Sequence, residues 1–220
     1  LGRLVAMELD DDLRPGPVRP VLPLREHASY PFLFEHDGRL CMLPETCALG
    51  ALDLYVCELF PDRWRRVRRL LEGVDAVDSV LFEQGGWWWL LTNAKPLGAE
   101  GGRSLALYRM RDPESGPLEL HPVNAQGVFA DRDHGYGRGA GSLFLDPDGP
   151  LRVLQKNDNY YGQAVEVRRI MALSEADYRD EAVDPDHPLA ALATLVSPHH
   201  ISLHGDAVAF DLRDRLGFVS

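Results

Sequence analysis

Short apolar runs alternate along this chain with turns rich in Gly, Asp and Pro, and three of these passages share one pattern. In Pro31–Leu43 (PFLFEHDGRLCML), Ser79–Leu91 (SVLFEQGGWWWLL) and Gly141–Leu154 (GSLFLDPDGPLRVL), an apolar run ending near Phe meets a polar turn closing on Gly, and a second apolar run follows. The turns HDG, QGG and DPDG supply the Asp and Gly that tight hairpins need for positive φ. A weaker copy, His199–Phe210 (HHISLHGDAVAF), turns at HGD. The pattern predicts four β-hairpins arranged as a repeat.

Further strands extend these hairpins. Leu52–Phe60, Ser104–Asp112 and Ala164–Leu173 read as third strands, and the more polar WRRVRRLL and LELHP read as fourth strands after the first two. A repeated four-stranded antiparallel unit is a propeller blade. The runs LCML, WWWLL and AVAF are apolar at consecutive positions, as expected of strands covered on both faces by stacked blades. The alternative, a β-sandwich with several hairpins, would show apolar and polar residues in alternation.

The expected fold is one all-β propeller domain over residues 1–220, with a blade remnant at 3–24 and blades at about 29–72, 77–122, 138–173 and 198–214. Arg3–Asp10 and Val18–Leu24 read as third and fourth strands with no hairpin before them. Either a first blade is incomplete, or the hairpin at His199–Phe210 closes a four-bladed ring with these strands. The chain begins inside a strand-like segment, which leads to the expectation that an earlier segment has been lost. One helical connector is predicted at Ser174–Arg179, with Ser174 as N-cap answered by Asp177.

Composition narrows the partners. An apolar fraction of 45% is ordinary for a globular core. The net charge of -11 argues against nucleic acid and anionic membrane as partners, since both need clustered cations. The basic cluster Arg63–Arg69 reads as the solvated face of an outer strand, where long cationic side chains blunt an open edge. Cys41, Cys47 and Cys57 have no CxxC spacing and no nearby His pair, which predicts free thiols, no zinc site and a reducing, cytoplasmic location. No apolar run approaches transmembrane length and no signal peptide opens the chain.

At SYPFLFEHDGRLCMLPET, VDSVLFEQGGWWWLLTN and GRGAGSLFLDPDGPLRVLQKNDNYYGQAVEVRRI the sequence resembles the propeller domain at the N-terminus of glucosamine inositolphosphorylceramide transferases and of bacterial relatives, some of them joined to formyltransferase-like domains. More distantly it is similar to the five-bladed propellers of family 43 glycoside hydrolases. The resemblance implies five blades, with the first hairpin and its Asp-Pro motif missing here. It also implies a glycan or glycolipid partner and a covalently linked transferase domain outside this chain.

Propeller geometry selects the candidate residues. A polar residue just ahead of an inner strand points to the mouth of the central channel, which picks out Tyr30, Asp78, Arg138 and His200. Residues at the far end of the second strands return to the same face, which adds Glu45, Asn93, Asn157 and Asp158. Glycoside hydrolysis needs an acid and a base or nucleophile. In the hydrolases that the chain resembles, a pKa-tuning Asp sits where Asp78 stands. The base would lie in the missing hairpin, and the acid position falls in GRGAGS, which has no Glu. Glu45 and Asp78 on neighbouring blades are the carboxylate pair left as catalytic candidates.

Tyr30, Asn93, Arg138, Asn157, Asp158 and Tyr161 are the substrate-binding candidates, with Tyr160 beside them offering a flat face for a sugar or for packing. No cofactor is expected from the residues themselves. The resemblance to the hydrolases implies at most a divalent cation such as calcium in the channel, near His200. Asp131, Asp133 and His134 lack EF-hand spacing. The loop HGYGRGAG has neither Walker spacing nor a following helix. Ser29 and His27 lack a nucleophile elbow. The expected function is a carbohydrate-binding or substrate-presenting propeller, with a rearranged glycosidase and a protein-interaction scaffold as alternatives.

Overall fold

The computed structural model describes residues 1–126, 137–157, 159–160, 162–196, 198–205 and 207–212. Two complete four-stranded antiparallel sheets lie in its first half. The first runs β3 (Ser29–His36), β4 (Arg39–Glu45), β5 (Ala51–Leu59) and β6 (Arg63–Glu72), and the second β7 (Val74–Gln84), β8 (Trp87–Pro96), β9 (Ser104–Met110) and β10 (Glu119–Leu120). Their opening hairpins close on two-residue turns, Asp37-Gly38 and Gly85-Gly86, with every φ between 48° and 73°. These are the mirror-image turns whose twist matches that of the strands they join.

A third sheet follows, with β11 (Leu151–Lys156), β12 (Ala164–Leu173) and β13 (Tyr178–Ala182). The helix α1 (Pro188–Val196) leads from it to the hairpin of β14 (Pro198–His204) and β15 (Ala207–Leu212). At the other end, β1 (Val5–Ala6) and β2 (Arg19–Pro20) form a short antiparallel pair.

Period-2 alternation sends neighbouring residues of each central strand into two different cores. Cys41 and Leu43 of β4 pack with Leu81, Trp88 and Leu90 of the second sheet, whereas Met42 between them packs with Leu4, Val21 and Leu22 of the N-terminal segment. On β8, Trp88 and Leu90 face the first sheet, while Trp89 and Leu91 join Ile170 and Tyr178 of the third. A further core of Phe144, Leu151, Val153, Val167, Ala193 and Ile201 seals the third sheet to α1 and β14. One apolar core per interface, with sheets stacked face on face, is the propeller arrangement, and it explains why strands such as β4 and β8 are apolar at consecutive positions.

Several expectations are corrected. Ser174–Arg179 is not a helix: the Ser174 hydroxyl does accept from Ala176 and Asp177 N–H, at 3.3 and 3.1 Å, but the loop turns into β13, an unforeseen outer strand of the third sheet. Tyr178 and Asp180 on that strand are buried against Arg152, and this packing overrides the local capping signal. The helix lies instead at α1. The N-terminal strands are two residues each, far shorter than Arg3–Asp10 and Val18–Leu24 suggest.

The inner segment of the third unit is not a continuous strand but makes isolated bridges at Gly139, Gly141 and Phe144. Its glycines explain the irregularity. A Cβ at Gly139 would stand 2.8 Å from the Asp78 carbonyl oxygen, and one at Gly141, φ 133°, would overlap the Ile201 carbonyl oxygen at 1.7 Å. The GRGAGS loop is glycine-rich so that two backbones can approach it. The basic strand β6 is an outer strand as expected, but Arg66 and Arg69 do more than shield an edge: both reach the buried Asp53 carboxylate, at 3.3 and 2.8 Å.

Candidate functional site

Three β-bulges at one register build the site. In the first sheet Ser29 pairs with Glu45 and Phe32 with Leu43, leaving Tyr30 and Pro31 as the bulge. In the second, Val77 pairs with Asn93 and Val80 with Leu91, leaving Asp78 and Ser79. In the last hairpin, Pro198 pairs with Leu212 and Ile201 with Phe210, leaving His199 and His200. A bulge interrupts the ladder and re-aims a side chain. Tyr30 and Asp78 hold left-handed backbone, φ 44° and 52°, a conformation uncommon outside glycine, costly for a bulky residue such as Tyr30, and concentrated at functional sites. The third unit places Arg138 correspondingly, its carbonyl accepting from Gln155 N–H at 2.7 Å.

These residues, with Ser29, Glu45 and Asp211, line a cleft of about 390 Å³. Arg138 Nε donates to Asp78 Oδ2 at 2.5 Å. Glu45 accepts from the Ser29 hydroxyl at 3.2 Å and from Asp78 N–H at 3.4 Å, which joins the first two sheets. The Tyr30 hydroxyl accepts from Gly141 N–H at 2.9 Å, and its ring meets His200 edge-on at 5.0 Å. Asp211 accepts from His199 and His200 N–H, at 2.9 and 2.5 Å.

Burial sets the protonation of the cleft. It pushes the Glu45 carboxyl above its ordinary range, the neighbouring Asp78 charge adds to the effect, and the Asp78 N–H, the Arg138 guanidinium and the Ser29 hydroxyl oppose it. Burial also raises Asp78, and the Arg138 guanidinium pulls it back only in part. Burial lowers His200, favouring the neutral imidazole, and raises Tyr30, which stays a phenol.

A hydrogen-bonded chain stands behind Glu45. Gly2 N–H donates to His27 Nδ1 at 2.8 Å, and His27 Nε2 lies 3.1 Å from the Ser29 hydroxyl. With Nδ1 accepting, Nε2 of the neutral ring carries the proton, so His27 donates to Ser29 and cannot deprotonate it. The trio is therefore a positioning device for Glu45 and not a nucleophilic triad.

Of the expected residues, Tyr30, Glu45, Asp78, Arg138 and His200 share the cleft. Asn93 is fully buried outside it, at the strand position matching Glu45, with both amide atoms lacking a hydrogen-bond partner among the described residues. Asn157 braces the structure instead, donating to Gln155 Oε1 at 3.0 Å and accepting from Gly162 N–H at 2.8 Å. Tyr160 is half exposed. Asp158, Tyr161, Asp131, Asp133 and His134 lie outside the described residues.

His200 is 2.7 Å from the Ser202 hydroxyl. No cluster of three or more His, Cys, Asp or Glu suited to a cation occurs among the described residues. Calcium takes six to eight oxygens, so a lone imidazole does not fit it.

Sequence reasoning missed His199, Asp211, Gln155 and the His27–Ser29 support. His199 was legible in principle: it precedes Ile201 by two residues, as Tyr30 precedes Phe32 and Asp78 precedes Val80. The equivalent position is therefore His199, although His200 also reaches the cleft.

Comparison with known proteins agrees with this architecture. The X-ray structure of the GH43_1 enzyme from Xanthomonas citri complexed with xylose superposes with a TM-score of 0.52 at 16% identity, covering 74% of this chain and 57% of that one. A GH43 protein from Bacillus licheniformis gives 0.51 at 16%, covering 81% and 36%. At that identity the likeness speaks for the propeller fold alone.

Glucosamine inositolphosphorylceramide transferase 1 of Arabidopsis thaliana is 29% identical over 158 residues, covering 71% of this chain and 20% of the relative. The protein of that name from Oryza sativa subsp. japonica is 29% identical over 160 residues, covering 72% and 21%. The chain thus spans about a fifth of the length of these relatives. Both relatives are plant proteins. A family model described as glucosamine inositolphosphorylceramide transferase 1, N-terminal, matches residues 16–188, and over that match the chain belongs to this family.

Proposed function

We propose that this propeller binds a sugar, presented on a glycan or glycolipid headgroup, in the cleft at its channel mouth, and does so beside a linked transferase domain. The observation that carries this reading is the convergence of Tyr30, Glu45, Asp78, Arg138, His199 and His200 from four units onto one cleft. Sugars are recognised by such mixed sets of donors, acceptors and flat rings, and the apolar residues of these sheets are spent on interface packing elsewhere. The family supports the reading. Its relatives are named for glucosamine, inositolphosphorylceramide and transfer, and they are long enough to hold a further domain.

Binding is favoured over hydrolysis because the carboxylates are already engaged. Hydrolysis needs a protonated acid and a free base flanking the glycosidic bond. Asp78 is held by Arg138, and both Glu45 oxygens accept hydrogen bonds. One feature favours the rearranged glycosidase, the upward push on Glu45, which is the direction a general acid requires. A scaffold would need a channel mouth poor in polar groups, and this one is rich in them.

Calorimetric titration with neutral monosaccharides tests the reading. Saturable binding near ~1 mM, about 4 kcal/mol, is expected, and it should weaken at least tenfold in Asp78→Ala. No binding of any sugar would overturn it. Aryl-glycoside cleavage abolished by Glu45→Gln would establish the glycosidase instead.

A further inference from the structure

We propose that Tyr30 is a positioning residue: its hydroxyl fastens the first unit to the third across the cleft and so holds Arg138 where it meets Asp78. The consequence for sugar affinity rests on the binding reading above, whereas the consequence for Asp78 does not.

Tyr30 belongs to the first sheet and Gly141 to the third unit, and the second sheet stands between them in the stack. The Tyr30 hydroxyl accepts from Gly141 N–H at 2.9 Å and donates to the Gly141 carbonyl at 3.3 Å. It thus satisfies both main-chain groups of one residue, as a partner strand would. The bulge at Tyr30 and Pro31, with φ 44° at Tyr30, re-aims the side chain for this reach.

The last hairpin is tied in at the same place. Ile201 N–H donates to the Ala140 carbonyl at 2.8 Å, and the His200 ring meets Tyr30 edge-on at 5.0 Å. Gly139 brings the fastening up to Asp78: a Cβ there would stand 2.8 Å from the Asp78 carbonyl oxygen and 3.5 Å from the Tyr30 hydroxyl. Arg138 is the next residue, and its Nε donates to Asp78 Oδ2 at 2.5 Å. Gly141 is buried, so removing the hydroxyl strips two desolvated main-chain groups of these bonds, and the peptide must turn to replace them. That turn is transmitted to Arg138 through a segment that forms only isolated bridges.

The test is Tyr30→Phe, which keeps the ring and deletes the hydroxyl, verified as folded by its thermal transition. The Asp78 carboxyl is followed by carbon NMR in sugar-free protein, its resonance assigned by its loss in Asp78→Asn. Its midpoint should rise in Tyr30→Phe, because the guanidinium that pulls it down is displaced. In Arg138→Met the midpoint is already high, and adding Tyr30→Phe should move it no further. Calorimetry with glucose should show about tenfold weaker binding by Tyr30→Phe.

An Asp78 midpoint unmoved by Tyr30→Phe overturns the inference: with weaker glucose binding it makes the hydroxyl a direct sugar contact, and with a lower thermal midpoint alone it makes it a packing group. A further rise in the Arg138→Met background also overturns it, since the effect would then bypass Arg138. If wild type binds no sugar, the binding reading fails, and the sugar-free Asp78 titration still decides the role of Tyr30.

Discussion

Asp78 is 4% exposed and its carboxylate meets the Arg138 guanidinium at 2.5 Å, so removing the cation strands a buried charge. Arg138→Met should cost about 3 kcal/mol at neutral pH, read from the urea midpoint. The pH dependence has a definite sign. Burial already holds Asp78 above its unfolded value of 3.8, so the stability tied to its proton is present below that value and is lost as pH rises through the native pKa. Without Arg138 the native pKa climbs further and the window widens. The deficit should therefore be larger at pH 7 than at pH 4, and equal deficits would contradict the assignment.

Glu45 is also raised, from 4.5, by burial. Relative to wild type, Glu45→Gln should gain stability as pH rises above that value, because the variant has no proton to lose; a flat difference in thermal midpoint across the titration would refute this. At Gly141 the constraint is steric, since a Cβ would sit 1.7 Å from the Ile201 carbonyl oxygen. Gly141→Ala should therefore cost about 3 kcal/mol or more in the same urea titration.

At the scale of the element, the three tryptophans of β8 have three environments. Trp88 touches Phe34 and His36 on the first-sheet side, with ring centroids at 5.4 and 5.1 Å. Trp89, 1% exposed, meets His121 on the other side and donates to the Gln84 carbonyl at 2.9 Å. Trp87, at the hairpin end, lies under the Arg111 guanidinium at 3.4 Å and donates to Glu175 at 3.2 Å.

Trp89→Ala should cost about 3–5 kcal/mol, as cavities in apolar cores do. Trp87→Ala should cost about 1 kcal/mol, the scale of a cation–π contact near the surface. Urea titration of both variants checks the ranking, and equal losses would contradict it. The strand and its alternation were legible because WWWLL follows a Gly-Gly turn. The neighbours were not, because they come from β3, β12 and a loop far along the chain.

At the scale of the molecule, stability is distributed over interfaces that each join two adjacent units. Strands covered on both faces, β4, β5, β7 and β8, should exchange amide hydrogens slowest, and β15, exposed from Ala207 to Asp211, should exchange fastest. Exchange measured by mass spectrometry checks this order, and comparable protection of β15 and β8 would refute it. The cleft lies beside that last hairpin, which contributes His199, His200 and Asp211. A ligand bound there should therefore slow exchange in β14 and β15 more than in β8.

Sequence alone determined most central strands, the hairpins of β3–β4, β7–β8 and β14–β15, the outer basic strand and the stacked all-β fold. Each of these is written in local signals: consecutive apolar positions, paired turn residues and the switch from apolar to charged strands. It also marked Tyr30, Glu45, Asp78, Arg138 and His200, because the same place recurs in each repeat. Tertiary structure decided the rest. The Ser174 loop became a turn because Tyr178 and Asp180 are pulled into a buried contact with Arg152. His199 entered through a bulge register defined only once β14 pairs with β15. The couplings Asp78 to Arg138 and Tyr30 to Gly141 span 60 and 111 residues. No local pattern encodes such distances; they follow from sheets stacked face on face, which brings residues of separate units to one cleft.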